Sequence, residues 1–189
     1  MALELSIHYD LRTATFYKGR DVQFIGKTKK RFWKINWTLF DQSNAVVAFY
    51  VLKQKPFFLN CKLLIDYKRE EKSSQLAFFY KVWKAPHIKF EYQNDQFLII
   101  IHVGNKFSFF KNEKQFASLE KEKISIGLGK KYKVVADANT PPDLLAIMSY
   151  AILIITEDEF EQAADFNVDL GNLGPELRSF NQTWKAENN

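Results

Sequence analysis

The most constraining feature of this chain is a predominantly apolar run over residues 144–155, which follows the residues Thr-Pro-Pro-Asp. On a helical wheel its apolar side chains occupy every face, and such a helix must be enclosed by protein or lipid. Twelve residues rise only ~18 Å, short of the ~20 apolar residues that span a bilayer. We therefore predict a helix over residues 143–156 that is buried in protein, with Thr140 as N-cap, Pro141 at its first position and Asp143 reaching back.

Before this helix the sequence alternates in period two, as half-buried strands do. Trp33, Ile35, Trp37 and Leu39 fall on one face of residues 32–40. Other segments are apolar on both faces, so both faces need to be shielded from water. A sheet closed around the helix would shield one of those faces. The alternation and turn signals predict about twelve strands, near residues 3–9, 13–18, 21–26, 32–40, 45–53, 57–66, 75–83, 87–93, 96–103, 106–111, 114–126 with a break, and 131–136.

The predicted fold is therefore mainly β with one central α-helix, as an approximately twelve-stranded closed antiparallel barrel. We expect one barrel domain over residues 1–156, with the central helix at 143–156, and an acidic C-terminal tail over residues 157–189. In the tail Leu177, Phe180 and Trp184 share a helical face. This pattern fits a short helix that docks on the barrel or on a partner protein.

Strands that end in Tyr-Lys-Val-Val-Ala-Asp at 132–137, followed by a late apolar helix, resemble the C-terminal domain of tubby-like proteins. The same pattern is similar to the related LURP-one-related proteins and phospholipid scramblases, and residues 107–121 resemble their segments of strand, polar turn and strand. The resemblance covers about residues 1–156. It implies a twelve-stranded barrel around a hydrophobic helix, and for tubby-like domains it implies phosphoinositide binding through basic side chains.

Charge is unevenly distributed along the chain, with a net +13 over residues 1–136 and −8 over residues 137–189. This asymmetry fits either a surface for phosphate or anionic lipid, or an acidic tail that folds onto its own basic body. Nucleic acid is a weaker candidate, because no RNA-binding signature or recognition helix is evident. The candidate residues for an anionic headgroup form two clusters: Lys27, Lys29, Lys30, Arg31 and Lys34, and Lys130, Lys131 and Lys133.

No pattern in the sequence predicts catalysis or a cofactor. It has no glycine-rich phosphate loop, nucleophile elbow or metalloprotease signature. His8, His87 and His102 fall in separate predicted strands without metal-ligand spacing. We therefore expect a non-enzymatic binding module for anionic phospholipid. The alternative is a scaffold or protein-interaction domain that binds no lipid.

Residues 165–176 place acidic residues as in a calcium loop, but Leu170 occupies the position that needs glycine, so we predict no metal site. Cys61 is the only cysteine and is expected to be a buried small hydrophobe. Because the sequence shows no secretory h-region and no disulfide pair, we expect a cytoplasmic protein, peripheral at the membrane if it binds lipid.

Overall fold

The structure is a computed structural model that describes residues 1–10, 12–31, 34–54, 60–69, 72–81, 87–102, 104–122, 129–158 and 179–188. Within these ranges the prediction of a mainly β fold with a single α-helix is confirmed. The strands are β1 (Leu3–Asp10), β2 (Thr13–Lys18), β3 (Asp21–Arg31), β4 (Lys34–Asp41), β5 (Val46–Gln54), β6 (Asn60–Arg69), β7 (Lys72–Lys81), β8 (His87–Tyr92), β9 (Asp95–His102), β10 (Lys106–Lys111), β11 (Lys114–Lys121) and β12 (Lys130–Ala136). The helix α1 (Pro142–Leu153) continues directly into a π-helical turn, Ile154–Asp158.

Each strand pairs in antiparallel fashion with the next strand in the sequence. In addition β1 pairs with β12, with Leu3 opposite Ala136 and Tyr9 opposite Lys130. β1 is therefore hydrogen-bonded to a neighbouring strand on each of its two sides, β12 and β2.

The core lies between the inner face of this sheet and α1. Alternate residues of β1 show the inward and outward faces: Leu5 and Ile7 are fully buried, while Glu4 and His8, on either side of this pair, are exposed. Every residue of the helical segment 144–155 is buried. The helix that the sequence predicts to be apolar on every face is therefore buried in protein on every face.

The start of the helix differs from the prediction. The N-cap is Pro141, in an extended conformation, and no side chain caps the first turn. Thr140 belongs instead to a tight turn after β12, where its N–H donates to the Asp137 carbonyl oxygen at 3.0 Å. Asp143 does not reach back to a cap: its carboxylate accepts from the backbone N–H of Leu144 and from the hydroxyl of Tyr67. The predicted capping box is wrong because the turn that closes β12 already uses Thr140.

Two contacts fix the direction of α1 relative to the strands. Asp143 at its start is held by Tyr67, which lies near the C-terminal end of β6. Seven residues further on, the ring of Tyr150 packs against Gly26 of β3, where a Cβ atom would lie 2.5 Å from the Tyr150 Cζ. The helix therefore runs from the end of the sheet that holds the C-terminus of β6 towards the end that holds the C-terminus of β3.

A charge placed in the middle of α1 should be severely destabilising. Ala151 is fully buried, so Ala151→Asp leaves a carboxylate without water or a counterion and should lower the free energy of unfolding by more than about 4 kcal/mol. Pro142→Asp is the matched control, because Pro142 is exposed at the start of the same helix, where a negative charge is favourable. Urea unfolding followed by circular dichroism measures both. Equal midpoints for the two variants would contradict the burial of α1.

The contact between Gly26 and Tyr150 predicts a coupled pair. Gly26→Ala should cost about 2 kcal/mol, because the new methyl group overlaps a fully buried ring. In the background of Tyr150→Leu the same change should cost at least ~1 kcal/mol less. A double-mutant cycle by urea denaturation measures this coupling, and strictly additive effects would show that the two residues do not meet.

Candidate functional site

The first basic cluster lies on the hairpin formed by β3 and β4. The prediction ended the third strand at residue 26, but β3 continues to Arg31, and Arg31 stands opposite Lys34 in the register with β4. Lys27 and Lys29 are exposed on the outer face, and the Lys27 Nζ lies 5.3 Å from the ring centroid of Phe40. The structure therefore brings all five predicted residues of this cluster to one end of one hairpin.

The second cluster lies on the same outer wall but forms a separate patch. Lys131 and Lys133 are exposed and Lys130 is half-buried at the start of β12. Lys133 is already paired with Glu4, with Nζ and the carboxylate oxygen 3.0 Å apart. Because β1 and β2 lie between β12 and β3, three strand spacings, about 14 Å, separate the clusters. The two predicted clusters therefore lie on separate hairpins, with β1 and β2 between them.

Three basic residues missed by the sequence analysis join the first cluster. Lys53 of β5 stands opposite Lys62 of β6, and Lys81 ends β7 opposite Asn60. Strands β3 to β7 are neighbours, and these residues lie at the same end of the sheet as Arg31. We call the whole set the cationic rim: Lys27, Lys29, Lys30, Arg31, Lys34, Lys53, Lys62 and Lys81.

The cationic rim is not interrupted by acidic residues. No Asp or Glu occurs over residues 22–40, 42–65 or 72–90. The acidic residues within β3 to β8 fall at or near the opposite ends of their strands, and they are Asp21, Asp41, Asp66 and Glu91. This segregation of charge along the strands was readable from the sequence, but only after the strands and their direction had been assigned.

Helix α1 leads towards the cationic rim. Tyr150 packs at Gly26, so both chains can be measured from this contact. The helical chain from Tyr150 to Asp158 rises at most ~12 Å. The four residues of β3 that follow Gly26 extend ~13 Å in the same direction. The backbone of residues 157–158 therefore lies towards the end of the sheet that carries the rim.

The described part of the C-terminal tail, residues 179–188, lies along the outside of β9 to β11. The Phe180 ring is 5.3 Å from the ring of His102 and 4.5 Å from the Lys106 Nζ. At the other end the carboxylate of Glu187 lies 2.7 Å from the Lys114 Nζ. The backbone N–H of Glu187 also donates to the Asp137 carboxylate at 2.7 Å. This part of the tail thus contacts the sheet as irregular chain with a turn.

Residues 179–188 also lie beside an outward-facing apolar side chain of β10. Phe110 points away from the core around α1, yet it is only 8% exposed. A shallow cavity of about 410 Å³ lies between Phe110 and Trp184. Glu187 is the acidic residue of this segment, and it pairs with Lys114 instead of either predicted basic cluster.

The histidines and the cysteine lie on different strands. His8 lies outside against Tyr17, with ring centroids 4.9 Å apart, and His87 is buried. Cys61 lies in β6. Across the described ranges, no three His, Cys, Asp or Glu side chains gather into a metal-binding group. Trp33, Leu177 and the calcium-like loop over residues 165–176 lie outside the described residues.

In the part of the chain that the structure describes, every helix is too short or too polar to cross a membrane. No protein-family model, curated protein or solved structure matches this chain. The likeness to tubby-like domains therefore rests on the sequence pattern.

The docked tail predicts a pH dependence of stability. Burial, and then the neighbouring charge of Lys106, lower the pKa of His102 to about 4 from the usual 6.5. The folded protein keeps this imidazole neutral where the unfolded chain protonates it, so stability should fall as pH drops from 6.5 towards 4. The loss should be on the order of 2 kcal/mol.

Replacing His102 by Gln removes the titrating group while keeping an amide that can hydrogen-bond to Ser108, which lies 2.9 Å from the imidazole Nε2. Urea midpoints measured between pH 7 and 4 should fall less steeply for His102→Gln than for the wild type. His8→Gln is the control, because His8 is exposed. Parallel pH profiles for the wild type and His102→Gln would refute the assignment.

Proposed function

We propose that this chain is a non-enzymatic binding module of the tubby-like type, which binds anionic phospholipid headgroups at the cationic rim. Phosphoinositides are the favoured class, because they offer several phosphate charges in one headgroup. The observation that carries the proposal is the convergence of eight basic residues on five neighbouring strands, on strand segments whose sequence contains no Asp or Glu. Each basic residue near an anionic membrane contributes about 1 kcal/mol to binding.

The architecture supports the tubby-like part of this proposal. The pairing of β1 with β12 supports a closed antiparallel barrel. The apolar helix that follows the last strand is buried along its whole length from Leu144 to Ile155. Both features are those that the sequence resemblance implies.

Nucleic acid fits the rim less well than a lipid headgroup. Binding of single strands combines basic residues with a series of exposed aromatic side chains on which bases stack. Among the described residues the exposed large hydrophobic side chains are Met1, Phe49 and Val51. Phe49 is the one aromatic residue of these three, so the described side chains offer no such series.

The alternative of a scaffold whose tail masks the basic face is less well supported. The described part of the tail docks on β9 to β11. In the strand order these strands are far from the β3–β4 hairpin. Lys27 and Lys29 remain exposed to solvent. A polyanion approaching the rim would therefore meet these two side chains directly.

Vesicle binding of two matched double variants tests the proposal. Lys27→Ala with Lys29→Ala removes two exposed charges of the rim and should weaken binding to vesicles of phosphatidylcholine with a phosphoinositide by about 10- to 30-fold. Lys131→Ala with Lys133→Ala removes the same charge from the separate β12 patch and should have a much smaller effect. Sedimentation at two salt concentrations measures both.

Equal losses for the two double variants would contradict a site at the rim, since they would indicate general attraction by net charge. If the wild-type protein does not sediment with any anionic vesicle, lipid binding is wrong and the scaffold function is favoured.

A further inference from the structure

Strand β5 exposes two large apolar side chains on the outer face of the sheet. Phe49 is 38% exposed and Val51 is 44% exposed, whereas Ala48 and Tyr50, which alternate with them, are fully buried inside. Within the described ranges, Met1 is the one other large hydrophobic residue with comparable exposure. A solvated outer face of a strand does not require apolar side chains at these positions, so their clustering points to a surface that is covered in use.

Neighbouring strands extend these two side chains into a continuous patch. Val51 stands opposite Leu64 of β6 in the register, and the half-buried side chains of Leu64 and of Phe40 on β4 lie on the same outer face. We call Phe40, Phe49, Val51 and Leu64 the β5 patch. Asp66, opposite Phe49 in the register, lies on the side of the patch remote from the cationic rim.

Lysines border the β5 patch and contact its rings. The Lys68 Nζ lies 5.3 Å from the ring centroid of Phe49, and the Lys27 Nζ lies 5.3 Å from that of Phe40. Along β5 the patch is followed directly by the rim, since Lys53 comes two residues after Val51. The patch and the rim are therefore adjacent along this strand.

We propose that the β5 patch enters the interfacial layer of the anionic bilayer whose headgroups the cationic rim binds. This inference rests on the proposed function and adds the mode of attachment. Its basis is complementarity: a bilayer surface presents negative headgroups above hydrocarbon, and this wall presents lysines beside apolar side chains. The long lysine stems can lie along the rings while their ammonium groups stay at headgroup level.

The patch predicts a loss of affinity that salt does not abolish. Phe49→Ser with Val51→Ser removes apolar area without changing charge, and should weaken binding to phosphoinositide-containing vesicles by about tenfold. This loss should persist at high salt, whereas the effect of the rim variant should shrink because charges are screened. Retention on a heparin column, which offers anionic groups without hydrocarbon, should be unchanged. Val135→Ser is the control, as Val135 is half-buried and outward-facing on β12.

A tryptophan at position 49 reports insertion directly. Phe49→Trp keeps an aromatic side chain at an exposed position, and its added fluorescence relative to wild type should shift to shorter wavelength and be quenched by brominated lipids. No quenching, together with unchanged vesicle binding by the double serine variant, would overturn insertion while leaving headgroup binding at the rim intact. Failure of the wild type to bind any anionic vesicle would overturn both.

A second copy of this chain on the β5 patch would give a different experimental result. If the wild-type chain is dimeric by light scattering and Phe49→Ser with Val51→Ser makes it monomeric, the patch is an interface between two copies and membrane insertion is wrong. Unchanged circular dichroism for the variants establishes that the substitutions leave the fold intact.

Discussion

The whole structure depends on the need to cover one helix that is apolar on every side. A single flat sheet or a neighbouring helix covers only one side of such an element, yet residues 144–155 are all buried. The inner face of the sheet is shaped for this helix. Gly26 leaves room for the Tyr150 ring, and the Tyr50 hydroxyl donates to the Ile147 carbonyl oxygen at 3.2 Å from the surrounding wall.

Period-two alternation was sufficient to locate most strands, because one face of each strand meets the apolar core and the other meets water or the docked tail. Where local chemistry competes with tertiary structure, the sequence was less informative. Thr140 has the side chain of an N-cap but is used in the turn after β12. The β3 strand was predicted too short, since its last residues are lysines and arginine, which pair with β4 across the ladder and need no apolar pattern to do so.

The candidate site depends on spatial relations that the sequence alone does not show. The sequence separates a basic region, residues 1–136, from an acidic tail. In the fold, the strands from β3 to β8 also carry basic residues towards one end and acidic residues towards the other. Lys53, Lys62 and Lys81 are far apart in the sequence and meet the β3–β4 hairpin only through strand pairing. Phe49 and Val51 were part of a segment apolar on both faces. That pattern indicated two covered faces, and the structure leaves one of them open.

The position of α1 after the twelfth strand has a consequence for how the protein is made. The ribosome synthesises all twelve strands before α1. The sheet therefore cannot complete its packing against α1 until synthesis has passed residue 155. The pairing of β1 with β12 likewise joins residues more than a hundred positions apart, and contacts of such long range form slowly. Nascent chains would therefore expose apolar strand faces for most of translation, and their safe folding would depend on protection by chaperones until the helix emerges.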